Sequence, residues 1–196
     1  MYASTPLLVI VNGPPGAGKT TIGKRIASDA ALPFVGKDDV KESLFDTLGW
    51  RDRDWSQKLG YASIVVMFKF VEALILAGKS LVIESDFHTK FDTPRFGELQ
   101  SRYGCTLLQV YCNANETVLL DRFENRGGSG ERHPGHDPGH GDGAVVDEMR
   151  MRLEDGTYSP LDIEGRLITV DTTDFATVDY RGVLKSVLDM PAVSRP

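Results

Sequence analysis

Gly13-Pro14-Pro15-Gly16-Ala17-Gly18-Lys19-Thr20 follows the apolar run Leu7-Leu8-Val9-Ile10-Val11 and precedes a segment, Lys19 to Asp29, that reads as a helix. The octet fits the pattern G-x-x-x-x-G-K-[ST]. Its glycines let the backbone wrap closely around phosphate with the N–H groups turned inward. In this pattern Lys19 reaches the β- and γ-phosphates of ATP, and the Thr20 hydroxyl binds Mg²⁺. The positive end of the following helix adds to the attraction. Gly13, Pro14, Pro15, Gly16, Ala17, Gly18, Lys19, Thr20 and the adjoining Thr21 are therefore the candidate nucleotide-binding residues. A strand before and a helix after separate this reading from a chance glycine loop.

Outward from the octet, strands and helices alternate. Phe34-Val35 reads as a short second strand, followed by a helix through Val40, Leu44 and Phe45. Between Asp54 and Ala77 the residues Tyr61, Ile64, Val65, Phe68, Val71, Leu74 and Ile75 recur at helical spacing, a stripe expected in the core, and Gly78 ends it. Leu81-Val82-Ile83 is the next strand, a helix is expected after Pro94, and Cys105 to Tyr111 is a buried strand. Asn115 is placed to cap a helix reaching about Asn125. Arg166 to Val170 is a last strand and Thr177 to Leu188 a closing helix. The alternation predicts an α/β fold: a three-layer α/β/α P-loop architecture around a parallel sheet of about five strands, in one domain over residues 1–196. Gly127 to Gly143 breaks the pattern, with seven glycines, two prolines and three of the four histidines. Such a stretch builds no packed element, and a lid loop over about 126–144 is expected.

The 196 residues carry 22 basic and 28 acidic side chains, a formal net charge of −6. That balance disfavours duplex nucleic acid, which usually needs a basic face; a cleft of local positive charge still suits a small anion. Cys105 and Cys112 are seven positions apart in one strand, roughly 23 Å at about 3.3 Å per residue and on opposite faces, so they do not pair. Two buried thiols suit a reducing compartment. The start Met-Tyr-Ala-Ser-Thr-Pro lacks a basic leader, and no uninterrupted apolar run reaches about 18 residues, so a cytoplasmic protein is expected.

Three further stretches follow the octet: Lys37-Asp38-Asp39-Val40-Lys41, Leu81-Val82-Ile83-Glu84-Ser85-Asp86 and Asp121-Arg122-Phe123-Glu124-Asn125-Arg126-Gly127. Octet and stretches resemble, in order, the motifs of one branch of P-loop kinases, AAA-type ATP-binding small kinases. The branch includes zeta-toxin-like kinases, chloramphenicol phosphotransferase and the 5′-kinase module of polynucleotide kinases. The resemblance spans roughly residues 6 to 128. It implies transfer of the γ-phosphate of Mg-ATP to a hydroxyl and leaves the acceptor open. No Asn-Lys-x-Asp run speaks for a GTPase, and 196 residues leave no room for the helical and sensor elements of a ring ATPase.

Asp38 and Asp39 follow the second strand, near the carboxyl edge where open α/β sheets bind ligands. Phosphoryl transfer needs a carboxylate to orient and deprotonate the acceptor hydroxyl. The family pattern gives that role to Asp38 and leaves Asp39 to cap the helix. Lys41, about one turn on, is a candidate acceptor contact. Glu84 and Asp86 end the third strand on the same side, where an acid serving Mg²⁺ or the acceptor belongs; the resemblance favours Asp86. Arg122 and Arg126 share a helix face, and guanidinium groups neutralise charge spreading over the transferred phosphoryl. The resemblance makes Arg126 the lid arginine; Arg122 is a candidate nucleotide contact and Arg132, which opens the lid with them, a candidate acceptor contact.

His133, His136, Asp137 and His140 have the composition of a zinc or nickel site, although no cysteine is near and a closing lid is preferred. Thr172 and Thr173 end the last strand, where the resemblance puts adenine; a helix cap is the other reading. Trp50 and Trp55 flank Arg51-Asp52-Arg53-Asp54 and either frame the acceptor pocket or pack a loop. The expected function is an ATP- and Mg²⁺-dependent phosphotransferase acting on a metabolite, an antibiotic or a nucleotide sugar. A polynucleotide 5′-hydroxyl kinase is the first alternative, and a slow regulatory ATPase the second.

Overall fold

The computed structural model describes residues 5–126, 133–136 and 143–191. Strands β1 (Leu7–Asn12), β2 (Phe34–Gly36), β3 (Leu81–Glu84), β4 (Thr106–Asn113) and β5 (Arg166–Asp171) form one parallel sheet in the order β2-β3-β1-β4-β5. The register sets Val9 between Val82 and Leu108, and Glu84 between Gly36 and Val11. Helices α1 (Lys19–Asp29), α5 (Glu116–Arg126), α6 (Gly143–Glu154) and α7 (Tyr180–Leu188) contribute to the core on one face. α3 (Arg53–Leu76) and α4 (Thr89–Tyr103) cover the other, and α2 (Lys37–Leu48) follows β2 and packs on α3. This is the expected three-layer α/β/α P-loop architecture around a five-stranded parallel sheet.

β1 explains why. Leu7, Val9 and Val11 are buried with Ile22, Ile26 and Val183, while Leu8 and Ile10 are buried with Met67, Val71 and Phe96. A central strand covered on both faces has no polar side, hence the uninterrupted apolar run. Each such side chain contributes about 1.5–3 kcal/mol on leaving water. Cys105 and Cys112 fall in the two opposite clusters and both are free.

Three expectations need correction. The helix expected after Pro94 begins at Thr89 and takes Pro94 into its interior; His88 Nδ1 accepts from the Lys90 N–H at 3.2 Å and starts the helix. Asp39 does not cap α2: Gly36 is the N-cap, without a side-chain hydrogen bond, and Asp39 pairs with Lys24 at 3.2 Å. The apolar stripe of α3 is only partly core. Phe68, Val71 and Ile75 are buried, but Tyr61 is 65% exposed and Val65 40%. α3 is long and apolar enough to cross a membrane by length and composition, although it carries Lys69 and Glu72; its Met67, Val71 and Ile75 pack into the core beside the sheet.

Candidate active site

Because all strands run parallel, β1, β2, β3 and β5 release their chains at one edge. There a cavity of about 470 Å³ is lined by Gly16, Gly18, Lys19, Thr20 and Thr21 on one side and by Asp38, Glu84 and Asp86 on another. Arg122, Asn125 and Arg126 of α5 complete it.

The loop after β1 is fastened from beneath. The Gly13 N–H donates to Asn12 Oδ1 at 2.7 Å, and Gly13 (φ +139°) lies so close to β4 that a Cβ there would stand 1.9 Å from the Cys112 carbonyl oxygen. Lys19 Nζ donates to the Pro14 carbonyl at 2.9 Å. The first turn of α1 has neither a side-chain cap nor an acidic residue, so its positive end faces the cavity uncompensated, as anion binding requires. Burial holds the Lys19 ammonium below its ordinary pKa, against the opposing pull of Glu84 and Asp86.

The acid that ends β3, Glu84, and the one just past it, Asp86, divide. Glu84 Oε2 accepts from the Thr20 hydroxyl at 3.0 Å, and burial raises its pKa, with Lys19 acting the other way. Asp86, the residue expected to share a metal with Thr20, is held instead by Lys37, Nζ to Oδ1 at 2.6 Å, and accepts from the Ser85 hydroxyl at 3.2 Å. Burial acts to raise the Asp86 pKa, but the Lys37 and Lys19 charges outweigh it and hold the carboxyl well below the usual range. Thr20 and Glu84 together supply oxygen donors of the kind a hard cation takes. No cluster of three or more His, Cys, Asp and Glu poised for a metal occurs among the described residues.

Arg122 serves the loop. Its Nη1 donates to the Gly16 carbonyl at 3.3 Å and its Nη2 to the Thr172 carbonyl at 2.9 Å, with the guanidinium 5.0 Å above the Phe175 ring. Thr172 is fully buried, its hydroxyl 3.1 Å from the Ala17 carbonyl and 3.0 Å from that of Asn113. Thr173 Oγ1 accepts from the Asn115 N–H at 2.9 Å. Both threonines thus tie the end of β5 to neighbouring backbone. Lys41 is not among the residues lining the cavity: it is buried, donates to Ser56 Oγ at 2.9 Å and stands over the Phe45 ring. Trp50 meets the His133 ring edge-on, and Trp55 Nε1 donates to the Gly49 carbonyl, so both pack loops. Arg132, Asp137 and His140 lie outside the described residues.

Sequence reasoning missed Lys37, Ser85 and Asn125, all of which line the cavity. Lys37 opens α2 directly after a strand end, the one signal that pointed to it.

The solved structure of a candidate kinase from Chloroflexus aurantiacus J-10-fl is 37% identical, covers 93% of this chain and 97% of that one, and superposes with a TM-score of 0.85. Shikimate kinase from Acinetobacter baumannii, in complex with shikimate, shares the fold at 19% identity and a TM-score of 0.58, over 96% of this chain and 94% of that one. Forty-two residues are 40% identical to cytidylate kinase from Ignicoccus hospitalis, 21% of this chain and 24% of that protein, so the chain spans about a quarter of the curated relative it matches. A family model matches residues 8–155, from the first strand through the sixth helix, and the chain belongs to that family, the AAA domain family AAA_33.

Proposed function

We propose that the protein transfers the γ-phosphoryl group of Mg-ATP to a hydroxyl of a small molecule. The observation that carries this reading is the single cavity shared by the phosphate loop, two carboxylate-bearing strand ends and two arginines. The acceptor oxygen forms a bond to the γ-phosphorus, the bond to the β–γ bridging oxygen breaks, and ADP leaves with that electron pair. The hydroxyl proton passes to Asp38. Lys19 and Arg126 face the charge that spreads over the transferred oxygens, and catalysis comes chiefly from positioning and charge. Thr20 and Glu84 would hold Mg²⁺, which when bound neutralises phosphate charge. Asp86 with Lys37 then belongs to the acceptor side. The motif order narrows the reading to the small-kinase branch named above, and the fold shared with shikimate kinase supports a small-molecule acceptor.

The test is an acceptor screen with γ-labelled ATP over metabolites, antibiotics, nucleosides and a 5′-hydroxyl oligonucleotide. Label moving to one class, and lost in Asp38→Asn while ATP still binds, supports the kinase. ATP bound tightly with no acceptor labelled favours the regulatory ATPase.

A further inference from the structure

Part of the glycine- and histidine-rich stretch is docked. Pro134–His136 forms a single 3-10 turn against α2. A Cβ on Gly135 would stand 2.7 Å from Trp50 Cβ and 2.8 Å from Phe45 Cγ, so only glycine allows this approach. The Gly135 carbonyl accepts from Ser56 Oγ at 2.9 Å, and that hydroxyl accepts from Lys41 Nζ at 2.9 Å. The His136 side chain is 1% exposed and meets the Phe45 ring edge-on at 5.4 Å. Its Nε2 lies 2.9 Å from Glu42 Oε1, and its Nδ1 lies 4.0 Å from Asp38 Oδ1. A buried imidazole therefore stands between two carboxylates, one of which is the proposed proton acceptor.

We propose that His136 is a positioning residue for Asp38, its ring fixed by Glu42 so that Nδ1 faces the carboxyl that receives the acceptor's proton. This rests on the reading of Asp38 given above. Among the described residues, the charged groups facing the ring include Glu42 and Asp38 from α2, with the Lys41 ammonium behind Ser56; His133 is turned to Asp46 at 3.3 Å. With Nε2–H donating to Glu42, the neutral ring leaves a lone pair on Nδ1. The proton leaving the acceptor hydroxyl reaches Asp38, whose O–H then turns to Nδ1, and Glu42 balances charge arising on the ring.

The test uses the full chain labelled with ¹⁵N-histidine. Asp38→Asn should move the His136 Nδ1 resonance and leave that of His88 in place; an unmoved resonance overturns the proposal whatever the turnover. Turnover is read as phosphate release from Mg-ATP with water as acceptor. His136→Gln should lower kcat about ten- to a hundredfold with KM for ATP within about twofold, the scale of a misplaced reacting group, and remove one limb of the pH profile. Glu42→Gln should do the same, and the double variant should be no worse than either single one. Glu42 is 40% exposed, so its variant carries the test should His136→Gln fail to fold. An unchanged pH profile in both sinks the positioning role alone, whereas full turnover in Asp38→Asn sinks the reading of Asp38 as well.

Discussion

Replacing Asp86 by Asn removes the countercharge 2.6 Å from Lys37 Nζ and keeps the shape of the side chain. At that separation and an effective dielectric of about 20, the attraction is about 6 kcal/mol. Most of this offsets the cost of withdrawing both charges from water. The side chains are 19% and 33% exposed, so solvent screens part of the remainder. The expected loss is then about 1.5–3 kcal/mol, the range for a hydrogen bond between charged groups. For a chain of 196 residues this is a fall in Tm of about 3–12 °C. Lys37→Met should cost about as much, and Lys37→Met/Asp86→Asn should recover most of it, with a coupling of about 1 kcal/mol or more. Burial tends to raise the Asp86 pKa, but Lys37 depresses it below its ordinary 3.8, so its share of stability is full above that value and is lost as pH falls through the lower folded one. Burial tends to lower the Lys37 pKa, but Asp86 and Asp38 raise it above its ordinary 10.5, so its share is full below that value and is lost as pH rises through the higher folded one. The gap between wild type and Asp86→Asn in urea unfolding should therefore stay level from about pH 5 to 9. A coupling under about 0.5 kcal/mol at pH 7 would refute the reasoning, as would a gap that drifts across that window.

Gly18→Ala places a Cβ at φ +70°, 2.1 Å from Phe175 Cζ, so Phe175 must leave its seat under Arg122. ATP affinity should fall by about tenfold or more, and stability by about 1–2 kcal/mol from the left-handed backbone, checked by calorimetric titration and by unfolding. Burial pushes the Cys112 thiol up to about 12, so native protein at pH 8 should show slow thiol-reagent kinetics at both cysteines and two fast equivalents only in urea. A fast native thiol would contradict the packing of β4 under the phosphate loop.

The features legible in the sequence are those whose cause is local. An apolar run covered on both sides needs no partner to be recognised, and the octet carries its own backbone requirements at Gly13, Gly16 and Gly18, all with positive φ. What escaped depends on where the chain leaves a regular element. Alternation put Glu84 and Asp86 on one side, but β3 ends at Glu84, and period two no longer holds beyond it. Asp86 is therefore free to turn to Lys37, 49 positions away. The stripe of α3 misled because a 24-residue helix laid on one sheet buries only one side, and apolar composition does not say which. Pro134–His136 has no periodicity, so nothing in its composition announced that a glycine there fits between Phe45 and Trp50.

The strand order gives the division of the two acids a consequence. β3 lies between β1, which carries the phosphate loop, and β2, which leads into Asp38. Its end is thus the seam across which a phosphoryl group would pass. Glu84 faces the Thr20 side of that seam, and Asp86 faces the Lys37 side. On the proposed reading, acceptor choice is therefore written on the side of the cavity lined by Lys37, at the start of α2, and by Ser85 and Asp86. Substitutions there should alter KM for the acceptor, whereas substitutions at Gly13, Lys19 or Thr20 should alter KM for ATP.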